Sequence, residues 1–381
     1  MADLAQFDHY LSPDGPTALV IREYLMPVEG RDGVVFPATF AAGDGFPGGY
    51  NIDTDAHGNS VALIDSVGSQ ANRIEPIFKE PQYRHLVPQI VIKAGDKTIH
   101  LLDAGHRAGD AIVRCSSLQE KLQEAFHDVL TGNAEPLAKI APTSLVFGVW
   151  DSRNTQAKLP RLVASTIRAF NVQPLHRSAQ YVPAIDYVQE KLLDEPPDTK
   201  TKDAYAVRGF IHVPATWTHG GVIATGGIRR DATLSLAALR LLRAKASEEK
   251  SPDKKEKQKE KKESVNEEKL ANEKTQALQR YILGLALVAF TYRPSGYLRQ
   301  GCLLVLDPEK PREFAEVYPD GSRRECTITH EQALQYATEA AQKFGVGNNA
   351  EISFEKEKAQ ADVTESGSDK GKTKKASKNK A

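Results

Sequence analysis

The chain has 381 residues and sets 50 Lys and Arg against 50 Asp and Glu, so its formal net charge is zero. That length allows one large domain or two modest ones, and bulk neutrality does not mark a polyanion binder, although a basic stripe can be offset by an acidic face elsewhere. The cysteines Cys115, Cys302 and Cys326 lie far apart without a CxxC pair, which argues against a zinc ribbon or a disulfide framework and fits a reducing cytoplasm. In chain order, Thr17 to Tyr24 alternates and is rich in apolar and β-branched residues, which predicts a strand. Val34 to Phe40 predicts another, broken by Pro37, and Gly43 to Gly49 a loop. Val61 to Asp65 reads as a short buried strand. A helix over Ser69 to Lys79 follows, capped by Ser66 or Ser69. Gln89 to Lys93 and Thr98 to Leu102 pair as a hairpin around Gly95-Asp96. Ala108 to Leu130 is mostly helical by its spacing, Ser144 to Trp150 a strand, and Leu159 to Phe170 an amphipathic helix.

In the second half, Tyr205 to Val213 places Tyr205, Val207, Gly209, Ile211 and Val213 on one face. Thr233 to Arg243 predicts a helix. Lys245 to Lys274 is roughly two-thirds charged, with Lys and Glu nearly balanced, and cannot bury a core. It is a solvated linker or a lone helix held by Glu–Lys pairs, with a break near Pro252. Thr275 to Phe290 predicts an apolar helix, Cys302 to Asp307 a strand and His330 to Phe344 a helix. From about Glu355 the Lys- and Ser-rich tail reads as disordered. Strands and helices interleave without clean βαβ repeats, so the expected class is α+β with a mixed or antiparallel sheet. No basic region precedes an apolar core at the N-terminus, so no signal peptide is read. The most apolar stretch, Tyr281 to Phe290, is about half the length of a membrane span, and a soluble, cytoplasmic protein is expected.

Four apolar runs end in tight turns that carry arginine. They are Leu63-Ile64-Asp65 into Ser66–Arg73, Leu101-Leu102-Asp103 into Gly105-His106-Arg107, Val146–Trp150 into Asp151-Ser152-Arg153, and Val222–Thr225 into Gly226-Gly227-Ile228-Arg229-Arg230. Backbone N–H groups at such turns, with guanidinium forks beside them, suit phosphates. Several on one domain would form a track for a nucleic-acid backbone.

Ser69-Gln70-Ala71-Asn72-Arg73, directly after a strand, resembles the entry to the first helix in backbone subunits of CRISPR effector complexes. Leu102 to Ser116 is similar to a signature of the type I-U (I-G) backbone protein. So are Phe147-Gly148-Val149-Trp150-Asp151-Ser152-Arg153, Arg177-Ser178-Ala179-Gln180-Tyr181-Val182-Pro183 and Gly226 to Arg230. The likeness runs from about residue 15 to about 345. It implies a RAMP-type fold, a modified RRM/ferredoxin-like β-α-β-β-α-β palm with inserted finger and thumb elements. Residues 1–244 and 275–350 would form that palm, 245–274 a charged insertion and 355–381 the tail. The family implies a non-catalytic subunit of Cascade without cofactor or metal. Its copies oligomerise along CRISPR RNA and support pairing with target DNA in antiviral defence. Other Cascade subunits, a large subunit and a fused guide-processing subunit, would be its partners, with no membrane involved. The glycine-rich loop that the wider superfamily carries near its C-terminus is missing, and Gly345-Val346-Gly347 is a poor stand-in.

The candidate RNA-binding residues each have a structural alternative. Ser69, Gln70 and Arg73 sit at a helix N-terminus, where phosphate contact positions a strand without reading it, or they cap the helix and pair with Glu75 or Glu80. His106 and Arg107 contact RNA or belong to a buried Asp–Arg network with Asp103. Asp103 and His106 lack a third metal ligand at useful spacing. Trp150 is core packing or a stacking platform, and Arg153 beside it is the better RNA candidate. Arg177 and Gln180 lie on a loop between Pro174 and Pro183. Trp217 and His219 form a loop tip that wedges between nucleotides, or an ordinary loop with one exposed ring. Gly226 and Gly227 allow close backbone approach beside Arg229 and Arg230, unless one of these arginines pairs with Asp231. Arg293 lies on a further loop of this kind.

The alternative function is an RNA-processing endoribonuclease of a CRISPR system. Ten histidines supply material, yet no HD pair, HxxxH helix or dense carboxylate cluster appears. A small-molecule enzyme with a phosphate loop is a third reading. Gly43 to Gly49 lacks the strand–loop–helix setting and the terminal lysine that it needs.

Overall fold

The computed structural model describes residues 3–245 and 260–364. Its centre is a nine-stranded sheet in which every strand pair is antiparallel. The labelled elements, in chain order, are β1 (Ala18–Pro27), β2 (Ser60–Asp65), α1 (Val67–Ile74), β3 (Val163–Phe170), β4 (Val172–Tyr181), β5 (Val213–Ala224), β6 (Ile228–Ser235), α2 (Glu260–Thr291), β7 (Cys302–Leu306), β8 (Glu313–Val317) and α3 (His330–Phe344). Across the sheet, β7 and β8 pair with one side of β1, β6 with its other side, β3 with β6, and β2 with β3. The chain therefore runs from β1 through a helical crossover to β3, then to β6 between them. From β6 it passes through α2 to β7 and β8, beyond β1. This is the strand order of a split β-α-β pair, extended past β3 by β2 and, at the edge, by the short strand Ile52–Thr54.

Strand alternation sorts the sheet into two faces. Leu19 and Ile21 of β1, Val163 of β3 and Ala232 and Leu234 of β6 point to one face. There they join α2 and α3 in the main apolar core. A smaller cluster continues along the same face through Ile167, Ala169 and Ile228 to Ala62 and Ile64. The two helices pack closely because Gly284 of α2 faces Ala337 of α3, where a β-carbon would come within 2.8 Å of the Ala337 Cα. Thr329 caps α3 in a reciprocal capping box with Gln332.

Several expected elements differ. Leu159 to Phe170, expected as a helix, is a short strand (Lys158–Leu159) followed by β3, whose residues are alternately buried and half-exposed. Ser144 to Trp150, expected as a strand, is mostly a helix (Pro142–Phe147) buried on every side, with strand only at Val149–Trp150. Tyr205 to Val213 holds the end of a helix, Thr199–Val207, capped by Asp198, and not a one-faced strand. Thr233 to Arg243 begins as β6 and becomes helical only at Leu236–Leu239. The charged stretch and the apolar helix after it share one continuous helix, α2, in which residues 267–270 are exposed and 281–291 buried. The part of that stretch at 246–259 lies outside the described residues. The tail also starts ordered: 356–364 is helical, Lys358 Nζ donates to the Ser116 carbonyl at 3.1 Å, and Arg114 meets Asp362 at 2.8 Å. Residues 365–381 lie outside the described residues. Among the described residues no helix is long and apolar enough to cross a membrane.

Candidate nucleic-acid interface

The first arginine-bearing turn folds inward. Ser66 caps α1 by accepting from the Ser69 N–H at 3.2 Å. Asp65, 1% exposed at the end of β2, accepts from Ser69 Oγ (2.8 Å), Gln70 Nε2 (2.6 Å), Arg73 Nε (3.2 Å) and an Arg299 Nη2 (3.1 Å). Gln70 Oε1 accepts in turn from Ser165 Oγ of β3, and Arg73 Nη2 donates to the Leu298 carbonyl at 2.7 Å. A buried carboxylate with two guanidinium partners is costly to desolvate, and the added hydrogen bonds are what make it tolerable. Ser69, Gln70 and Arg73 thus serve this knot, and their partner is Asp65 rather than Glu75 or Glu80. Gln70 is itself buried.

Arg107 is buried as well, with a backbone φ of +55°. Its Nε lies 2.7 Å from Glu75 Oε2, and its guanidinium stands 5.3 Å from the centre of the Phe147 ring. It also donates to Asn72 Oδ1 at 3.2 Å. Burial pushes the Glu75 carboxyl up to about 7 against the pull of Arg107, and burial also lowers Arg107. The buried network that locks this turn uses Glu75, whereas Asp103 pairs with Lys79.

Beside this clamp the surface opens into a cleft of about 750 Å³. Its walls carry His106, Arg114, Trp150, Arg153, Lys158 and Arg161, and no carboxylate lines it. Trp150 is 57% exposed, and the Lys158 ammonium lies 5.6 Å from its ring centre. His106, Arg153 and Arg161 are exposed, and among the described residues none of them has an ion-pair partner. Asp151 is buried and faces its own turn. Burial opposes its ionisation, but hydrogen bonds from Thr155, Asn154 and Arg153 hold it below the usual carboxylate range. Gly148 (φ +77°) is required here, since a β-carbon would sit 2.9 Å from Arg161 Cγ. At Gly68, the second residue of α1, a β-carbon would lie 3.9 Å from an Arg161 Nη2, so the start of α1 borders the cleft.

The remaining candidates lie elsewhere. Arg177 and Gln180 belong to strand β4, and Trp217 and His219 to β5, so neither pair is on a loop. β4 and β5 form a long ribbon joined through residues 182–212. Trp217 stands 77% exposed with φ +59° and stacks on His176 at 4.3 Å. His219 lies against Tyr50 at 4.8 Å, Arg177 lies over the Phe36 ring at 5.5 Å, and Gln180 meets His212 at 3.3 Å. Gly226 and Gly227 turn the chain into β6, where a β-carbon on Gly226 would come within 2.8 Å of the Phe170 carbonyl. Arg229 pairs with Asp231 at 3.0 Å, as one alternative expected, and Arg230 is buried on Glu23 at 2.7 Å. Arg293 is exposed on the loop after α2.

These positions do not share one furrow. The cleft adjoins the Leu162 end of β3, while the ribbon and the Gly226 turn adjoin its Phe170 end. Eight extended residues separate them by about 25 Å. Sequence reasoning did not single out Arg161, which fell inside the expected helix, nor Lys158 just before it, and it placed Arg114 only within the Leu102 to Ser116 signature. The short Lys-Leu-Pro-Arg run at 158–161, two cations around an apolar pair, was their available signal. Among the described residues no group of three His, Cys, Asp or Glu side chains comes together to hold a metal ion.

Residues 19–174 match a family model described as "CRISPR-associated protein GSU0053". The matched stretch contains β1 from Leu19 on, β2, α1, the cleft wall from 105 to 161, and β3. That stretch, less than half of the chain, is similar to a CRISPR-associated protein family. No curated protein matches the chain.

Proposed function

We propose that this chain is a non-catalytic backbone subunit of a CRISPR effector, of the type I-U (I-G) kind, that binds guide RNA through the cationic cleft. Three lines support the reading: the family match over 19–174, the β7/β8–β1–β6–β3 strand order expected of a RAMP-type palm, and the cleft itself. The cleft is the observation that carries it. Arg153, Lys158 and Arg161 present charge without internal carboxylate partners, next to an exposed indole. Guanidinium and ammonium groups hold phosphates irrespective of sequence, and Trp150 offers a face on which any base stacks. Sequence discrimination is left to pairing between guide and target DNA.

Successive copies would repeat this grip along the guide through head-to-tail contacts that do not close into a ring. The large subunit and a fused guide-processing subunit would complete the particle, in the cytoplasm. The test is co-expression with a repeat–spacer array, followed by native mass spectrometry. Particle mass is expected to rise in whole-subunit steps as the spacer lengthens. Specific cleavage of repeat RNA by the pure protein would overturn the reading in favour of a processing endoribonuclease.

A further inference from the structure

Arg107 faces two ways. It lines the cleft with His106, Gly148 and Arg161, and behind that wall its guanidinium lies against Glu75. The two side chains are almost sealed from water, 4% and 2% exposed. Their contact is incomplete. Arg107 Nε stands 2.7 Å from Glu75 Oε2, yet it is poorly aligned and makes no hydrogen bond, and Glu75 Oε1 has no partner either. The remaining donors of Arg107 make only long bonds, to the Gly148 carbonyl at 3.3 Å and Asn72 Oδ1 at 3.2 Å. The surrounding groups come from several elements. Glu75 opens the short helix Glu75–Lys79, whose Lys79 pairs with Asp103. Burial opposes the Glu75 carboxylate most, Arg107 and Thr143 favour it, and Asp103 opposes it. Arg161 repels Arg107, and His106 is the histidine on the cleft wall.

We infer that an anion entering the cleft draws a proton from solvent onto Glu75, so that binding and protonation are coupled through Arg107. In the free protein one guanidinium serves one carboxylate. A phosphate at the cleft wall brings a second anion to Arg107, and two anions that share one cation out of water repel each other. A proton on Glu75 removes that repulsion and leaves the charge of Arg107 to the phosphate. Glu75 already stands at about 7, so the proton is within reach near neutral pH, as it is not for an ordinary carboxylate. Linkage is reciprocal: an anion that promotes protonation binds more tightly where protons are available, and affinity rises as pH falls. Glu75 thus acts as a positioning residue behind the cleft, without touching the ligand. The inference rests on the cleft reading, and its test separates the two.

The experiment is titration calorimetry of the full-length protein with an oligoadenylate that lacks terminal phosphates, in two buffers of different ionisation enthalpy, which together count the protons taken up. If the bound strand raises the proton affinity of Glu75 ten-fold, about half a proton is taken up per strand at pH 7.5, and affinity falls about eight-fold from pH 6 to pH 9. Glu75→Gln should abolish the uptake and hold affinity at pH 9 near the wild-type value at pH 6. A histidine is the other side chain able to take a proton in this range, so His106→Gln is the control and should retain the uptake. If Glu75→Gln fails to fold, the infrared difference spectrum of the wild-type protein with and without the strand gives a second readout, in which a carboxylic-acid band should grow on binding. Binding without proton uptake, or uptake that survives Glu75→Gln or vanishes in His106→Gln, would overturn the inference and leave the cleft reading standing. No binding of the strand at any pH would overturn both.

Discussion

The knot around Asp65 and the cleft beside Trp150 are built from the same residue types and do opposite work. In the knot, Arg73 and Arg299 converge on a buried carboxylate, and their remaining reach goes to backbone carbonyls. In the cleft, Arg153 and Arg161 have neither. Arginine in a turn therefore says little by itself. What separates a structural guanidinium from one free for a ligand is whether the fold brings a carboxylate to it.

The largest effect should come from the knot. Asp65→Ala leaves two guanidinium groups and Gln70 without their shared acceptor and is expected to cost about 3–5 kcal/mol in denaturant unfolding. A loss below about 1 kcal/mol would show that the knot is not structural. The Glu75–Arg107 clamp gives the next test. Glu75 stands at about 7 when folded and near 4.5 when free, so its contribution to stability is full below pH 4.5 and fades as pH rises through 7. Glu75→Gln should flatten this part of the melting-temperature profile between pH 4.5 and 8, and parallel curves would refute the assignment. In the cleft, Trp150→Ala should weaken single-stranded RNA binding by about 1–3 kcal/mol in fluorescence anisotropy without lowering the melting temperature. Arg153→Ala or Arg161→Ala should each reduce the slope of log affinity against log salt by about 0.7–1. Arg73→Ala, which sequence alone would assign to phosphate contact, should leave that slope intact and lower stability instead. If Arg73 moves the slope and Arg161 does not, the contrast between knot and cleft is reversed. Smallest of all, Trp217→Ala should change stability by no more than about 0.5 kcal/mol, since its ring is mostly in solvent.

Local pattern carried part of this structure. Alternation at 17–24, the hairpin turn at Gly95-Asp96 and the spacing over His330–Phe344 each named the right element. It failed where burial erased the pattern. Pro142–Phe147 is apolar on all sides, so nothing in its spacing distinguishes a buried helix from a buried strand. β3 has period-two burial, yet two of its inward residues are Ser165 and Ala169, which do not read as core. Leu159, Leu162, Ile167 and Phe170 meanwhile mimic a helical stripe. At the candidate site, His106 and Arg153 were legible as polar residues at turns, and both are exposed. Arg73 was not, because its partner Asp65 is shared with Arg299, 234 residues away from that carboxylate. Pairings set by long-range closure leave no trace in short spacing.

β3 also sets a length. It joins the cleft at one end to the ribbon at the other, and its side chains alternate strictly between packed and open faces. Inserting one residue would turn half of the strand inside out, so the distance between those ends can change only in two-residue increments. The two extremities can vary in chemistry while the gauge between them stays constant, and any repeating contact along a filament would inherit that fixed unit.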